Sequence, residues 1–382
     1  MGGQAFATSG PNGTPLGVPR MPSDVYRKVA SDIQSRLKGI FRSVVVPREA
    51  PGKPNHGDVD ILVEGALCKW TPTSIGQEIG ALHRITHGGT HSYAIPYPDL
   101  PGSFVQIDVE ICPGNDTPDG AELFEWTKFM KNDSDLMQII GVSHRSLGIT
   151  SNDRGLHVRV KEIEPHNKKK SQIFLTRNPE EAMAFLGLDI SKYWTGFATE
   201  DELFEWVSRG RFFSHTFLDE RTEKANDRQR IRKRGMYRRF MEEYMPTLRE
   251  TGTLDEPWTR QGVLEEALTS FNKHEKYRIM MDEYVTQERS DALWKRIKET
   301  LPLEGSSLGM TLKGLKRWVG FKDGQPYISP TRLTDDPPTW ILAMGNTGVD
   351  QVLVWVKENW AEAKALEKTY VRAAKEAGKT KG

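Results

Sequence analysis

One short run constrains the fold of this chain more than any other: His56-Gly57-Asp58-Val59-Asp60-Ile61-Leu62-Val63. Successive side chains of a β-strand point to opposite faces. Val59, Ile61 and Val63 therefore share a face that enters a core, while Asp58 and Asp60 project together on the other. Two carboxylates held that close repel each other unless a cation sits between them. Hard divalent cations such as Mg²⁺ favour oxygen ligands of this kind.

A second acidic strand is expected over Val105-Gln106-Ile107-Asp108-Val109-Glu110. Here Gln106, Asp108 and Glu110 share one face, and Val105, Ile107 and Val109 the other. Asp108 is the candidate third metal ligand, and a third acid could also take the proton of an incoming hydroxyl. A solvent-facing strand would show the same alternation. Upstream, Gly2-Gly3-Gln4 has no bulky side chain at its glycines, so backbone N–H groups there could approach phosphates closely. Lys53 and His56, in the loop entering the first acidic strand, could meet triphosphate oxygens or belong to a solvated turn. Acids on two strands and a glycine pair before a helix suit phosphoryl transfer, in which carboxylates hold Mg²⁺ or Mn²⁺ against a triphosphate.

This set of residues resembles the DNA polymerase β-like nucleotidyltransferase superfamily. Its pattern is a glycine turn opening a helix, a D-x-D or D-x-E pair on a strand, and a third Asp on a later strand. Gly2 and Gly3, Asp58 and Asp60, and Asp108 occupy those places. The wording around them (GGQAF, PGKPNHGDVDILVEG, VQIDVEIC) is similar to a fungal group of that superfamily. The resemblance covers the first 110 to 175 residues or so. It implies an α+β fold, a mixed sheet with flanking helices followed by a mainly helical C-terminal region. It also implies an enzyme that moves a nucleoside monophosphate from an NTP to an acceptor hydroxyl. One departure stands out: about 55 residues, with a helix and a strand of their own, separate the glycines from the acidic pair.

Periodicity places the other elements. Ser23 reads as the N-cap of a helix with apolar face Tyr26, Val29, Ile33, Leu37 and Ile40, followed by a strand at Val44–Val46. A short helix opens at Thr73 or Ser74. Strands are expected at Ser92–Ile95 and Phe104–Cys112, a helix or helix pair over Ala121–Ile140, and a half-exposed strand at Leu156–Ile163 pairing with Gln172–Leu175. From Pro179 the chain reads as mostly helical, ending in a long helix from Val349 with an apolar stripe. The expected domains are 1–176 (catalytic α/β), 177–304 (helical, carrying a basic segment) and 305–382 (small, helical).

The chain has 382 residues, 37% of them hydrophobic, with 53 basic against 52 acidic side chains, so any polyanionic partner must be met by a local patch. One candidate runs from Arg221 to Arg239, where nine Lys or Arg face two acids. On a helix this forms a basic rod, and Arg230, Arg232, Lys233 and Arg234 are its candidate contacts to an RNA end or another polyanionic acceptor. Acidic neighbours such as Glu242 and Glu243 could instead neutralise it. Tyr193-Trp194 could stack on a base or pack in a core. His83, His87 and His91 have the spacing of a helical zinc face, but Gly88-Gly89 would end that helix and no cysteine cluster completes a tetrahedron. Cys68 and Cys112 read as buried thiols of a reducing compartment. With no signal segment and no apolar run long enough to span a bilayer, a cytoplasmic or nuclear protein with no membrane partner is expected. Two further classes stay open: an inactive nucleotide- or RNA-binding protein that keeps the fold, and a scaffold whose acids merely solvate a strand edge.

Overall fold

The computed structural model describes residues 3–8, 14–214, 231–251, 258–333 and 339–379. The chain is mixed α+β and divides into two compact units, Met1–His274 and Glu275–Gly382. Residues 177–274 thus group with the sheet-bearing part.

The first unit is built on five strands: β2 (Phe41–Val45), β4 (Asp58–Ala66), β5 (His83–His87), β6 (Thr90–Pro96) and β7 (Phe104–Ile111), in the order β2-β4-β7-β6-β5. β4 and β7 run parallel and every other neighbouring pair is antiparallel, so the sheet is mixed. The back of the sheet, Val59, Ile61, Val63, Ile107 and Val109, packs against Val29, Ile33 and Leu37 of helix α2 (Ser23–Leu37) and Ile75 of helix α3 (Pro72–Glu78). Helix α4 (Gly120–Lys131) covers the other face only past the acids, where Leu123 and Phe124 meet Leu62 and Cys112. The strand mouths that carry Asp58, Asp60 and Asp108 lie outside that cover. A four-residue helix, α1 (Ala5–Thr8), and the two-residue ladder of β1 (Met21–Pro22) with β3 (Asn55–His56) close the same end.

Several local expectations change. Helix α3 starts at Pro72 and is capped by Thr71, whose side chain accepts from Ser74 N–H in a capping box. Helix α2 has no side-chain cap, and Ser23 is its first residue. His83 and His87 lie on β5 and His91 on β6, so the spacing by four belongs to a hairpin, not to a helical zinc face. Cys112 is buried as expected, but Cys68 is exposed just past the end of β4. The strand expected to be half-exposed, β9 (Gly155–Arg159), is buried throughout, between β8 (Ile149–Asn152) and β10 (Gln172–Thr176). Its Arg159 is satisfied internally by Glu164 at 2.9 Å and the Arg145 carbonyl at 2.6 Å.

The second unit holds helices Gly305–Trp318 and Val349–Lys379, a hairpin of Val319–Lys322 with Gln325–Ile328, and the helix continuing from Glu275 to Thr300. Its apolar core includes Leu293, Leu315, Trp340, Val352 and Val356. Fully buried Glu367 is neutralised by Arg317 at 2.6 Å and accepts from the Trp318 indole at 3.1 Å. Among the described residues no helix is long and apolar enough to cross a membrane.

Ile107 has no exposed surface and points away from the acids. Ile107→Ala is therefore expected to cost about 2–5 kcal/mol of stability by leaving a cavity. Urea unfolding that shows a change well below that range would mean the back of this sheet is not the core that holds it.

Candidate active site

The parallel register of β4 and β7 places Asp60 directly beside Asp108, and Asp58 beside Gln106. All four side chains share the uncovered face. Each carboxylate then meets a different environment. Asp58 accepts a hydrogen bond from Gly3 N–H at 3.0 Å. Asp108 accepts from the Gln106 amide at 3.0 Å to each oxygen and is hydrogen-bonded to Ser92 on β6. Among the described residues, no donor is found for Asp60.

The electrostatics follow from that difference. The tip of Asp60 is open to solvent, yet its carboxyl is pushed up to about 7. Loss of hydration among the surrounding protein atoms is the largest cause, followed by the charges of Asp58 and Asp108. Asp108 is also raised, first by burial and then by Asp58, with Ser92 and Gln106 pulling the other way. Lys131, at the end of α4, lowers both carboxyls and pairs with Glu110 at 2.5 Å. Sequence reasoning missed Lys131 because nothing in its own helix marks it as facing β7.

The structure brings Gly3 to the acids despite the long separation in sequence. Gly3 has φ of 82°, and a Cβ there would fall 2.3 Å from the Gly57 carbonyl oxygen. Only glycine allows this approach of the amino-terminal turn to the start of β4. Gln4 is exposed, and Gly2 lies outside the described residues.

Lys53 and His56 border the site rather than join the carboxylates. Lys53 pairs with Glu49, and buried His56 stacks on Tyr26 with ring centroids 3.9 Å apart. Tyr26 feels the charges of Asp60 and Asp58, although burial and Glu49 are the larger causes that raise its hydroxyl. Ser23, Tyr26, Arg27, Arg48, Lys53 and His56 line a cavity of about 340 Å³. Of its cations, Lys53 is paired with Glu49 and Arg48 with Asp133 at 2.8 Å, so among the described residues Arg27 is the one left to meet an anionic oxygen there.

The basic segment is not a continuous rod. Residues 231–233 are helical, Arg234 is extended with φ −124° and ψ 105°, and a new helix spans Gly235–Arg239. Arg234 pairs with Asp135 at 2.7 Å, and Arg239 with Glu200 at 2.8 Å and Asp201 at 2.6 Å. Arg232 and Lys233 are exposed; Arg221, Lys224, Arg228 and Arg230 lie outside the described residues. Tyr193 is fully buried beneath Arg48, while Trp194 remains 40% exposed.

Carboxylate oxygens are the donors that a hard divalent cation takes. Among the described residues, however, no group of three or more His, Cys, Asp or Glu side chains is placed so that it could hold a metal ion. No protein-family model matches the chain, and no curated protein matches it significantly.

The raised carboxyl of Asp60 ties stability to pH. An unfolded Asp loses its proton near 3.8, whereas the folded one keeps it to about 7. The folded state binds more protons across that window, so stability falls as pH rises through it. Asp60→Asn cannot ionise. Its melting temperature is expected to exceed that of the wild type at pH 8 and to converge with it near pH 4. A gap that is constant with pH would contradict the assignment.

Proposed function

We propose that the chain is a divalent-cation-dependent nucleotidyltransferase whose sheet corresponds to that of the DNA polymerase β-like superfamily. One observation carries the reading: Asp60 and Asp108 stand side by side on neighbouring parallel strands, with Asp58 on the same face. Asp58, Asp60 and Asp108 would hold Mg²⁺ or Mn²⁺, which supplies charge neutralisation to a triphosphate and its leaving group. The Gly3 turn and the cavity with Arg27 flank the acids, on the proposal, as the surfaces for phosphate oxygens. In the reaction, an acceptor hydroxyl oxygen bonds the α-phosphorus while the bond to the β-phosphate oxygen breaks. Pyrophosphate leaves, and the hydroxyl proton passes to a carboxylate or to water.

The proposed acceptor class is a polyanion such as an RNA end, on the strength of Arg232 and Lys233, two exposed cations of the basic segment. A cytoplasmic or nuclear setting accords with such a substrate.

Incubation with each α-labelled NTP, Mg²⁺ and total RNA or protein is expected to label an acceptor. Asp58→Ala and Asp60→Ala should reduce labelling to background with the fold intact by circular dichroism. Retained transfer in both variants would sink the assignment. NTP binding that is indifferent to Mg²⁺, with no labelled product, would favour a binding protein. For the acceptor, Arg232→Ala with Lys233→Ala should weaken RNA binding and reduce the salt slope by about 1.4, two single-strand phosphate contacts at about 0.7 each. An unchanged slope would remove this segment from the interface.

A further inference from the structure

Gln106 is 3% exposed and lies on β7 between the acids, two residues before Asp108 and opposite Asp58 in the β4 register. A buried side-chain amide has one acceptor oxygen and two N–H donors to place. Here the Oε1 atom accepts from Ala5 N–H at 3.0 Å, and the Nε2 atom donates to both Asp108 oxygens at 3.0 Å. The partners fix the orientation of the amide. Ala5 N–H can only donate, and flipping the amide would set its oxygen against the carboxylate.

Two residues away in the same turn, Gly3 N–H donates to Asp58. The turn is itself anchored: Phe6 has no exposed surface, and its carbonyl accepts from Leu16 N–H at 3.0 Å. One short segment therefore holds Asp58 directly and Asp108 through Gln106.

We infer that Gln106 is a positioning residue that couples the amino-terminal turn to Asp108, so that docking of the turn and the aim of two of the three carboxylates form one arrangement. This deepens the nucleotidyltransferase reading and rests on it for the catalytic consequence. It does not rest on it for cation binding. Gln106 touches neither substrate nor reacting atoms in this scheme. Its part is to keep Asp108 from turning away when the turn is in place.

Three substitutions separate the links. Gln106→Met and Gln106→Leu remove both hydrogen bonds without adding a charge beside the acids, the first at closer to the native length. Ala5→Pro removes only the backbone donor, at the first residue of α1, where proline fits a helix. Binding of Mn²⁺ alone, read by electron paramagnetic resonance on nucleotide-free protein, is expected to weaken roughly 10- to 100-fold in Gln106→Met and Gln106→Leu. Ala5→Pro should weaken it in the same direction. Amide hydrogen exchange across residues 3–8 should quicken in Gln106→Leu. In the transfer assay kcat should fall by a similar factor in Gln106→Met, with the KM for NTP held within about threefold, because the phosphate-facing surfaces are intact.

Unchanged Mn²⁺ affinity and kcat in Gln106→Met, beside an active wild type, would overturn the inference and leave the nucleotidyltransferase reading standing. Equal losses in kcat and melting temperature with Mn²⁺ affinity unaltered would also overturn it, since that pattern marks a residue needed only for packing. A wild type that transfers no nucleotide, but whose Mn²⁺ affinity falls in both Gln106 variants and in Ala5→Pro, would support the coupling and defeat the activity. If Gln106→Leu does not fold, Gln106→Met and Ala5→Pro carry the test.

Discussion

The register between β4 and β7 is the constraint on which the rest of this molecule depends. Val59, Ile61, Ile107 and Val109, on the back of the two strands, are each at most 1% exposed. Burying side chains of that size contributes about 1.5–3 kcal/mol each. Two unit charges 4 Å apart near a protein surface repel by about 4 kcal/mol. The apolar back therefore outweighs the acidic front. A slip of one residue would bury the acids and expose the core, so no relaxation of the sheet can relieve the repulsion. The strain passes to the side chains, and the proton on Asp60 is where it becomes visible.

That proton ties the stability of the fold to pH. Folding brings three carboxylates onto one face, and holding Asp60 neutral up to about 7 lowers the cost. A divalent cation would do the same with more charge. On the nucleotidyltransferase proposal, the arrangement that makes the free protein less stable at alkaline pH would also be the one that receives the metal, in keeping with the general conflict between stability and function at active sites. Lys131 tempers the conflict: it stabilises both carboxylates while engaged with Glu110, close enough to offset charge without taking a ligand position.

The acidic strand, its partner strand and the sharing of one face were legible in sequence because a period of two is local information. Asp58, Asp60 and Asp108 could be singled out on that basis, and the alternation of Val105 to Glu110 placed Gln106 among them. What Gln106 does was not legible. Its partner Ala5 is 101 residues away, and no pattern in either segment encodes that meeting. Charge counting met a similar limit. The run from Arg221 to Arg239 is basic in sequence, but Arg234 and Arg239 are spent on Asp135, which immediately precedes the helix Leu136–His144, and on Glu200 and Asp201, in the first turn of the helix Glu200–Ser208. Strand β6 was expected at Ser92–Ile95, but its partner β5 escaped notice because His83, His87 and His91 imitate helical spacing, and only the Gly88-Gly89 turn betrays the hairpin.

The long gap between the glycines and the acidic pair acquires a physical sense from the hydrogen bonds. Helix α2 and strand β2 fill that gap, and α2 packs on the back of the sheet, opposite the carboxylates. The glycine turn does not need to be near Asp58 in sequence, because Phe6 and the Gly57 backbone fix it there in space. The turn satisfies Asp58, and through Gln106 it helps satisfy Asp108. Asp60, in the centre, is left without a donor among the described residues. On the proposal, a cation entering such a site would meet two carboxylates already aimed and a third held by no donor, and Asp60 would have to give up its proton before it could join them.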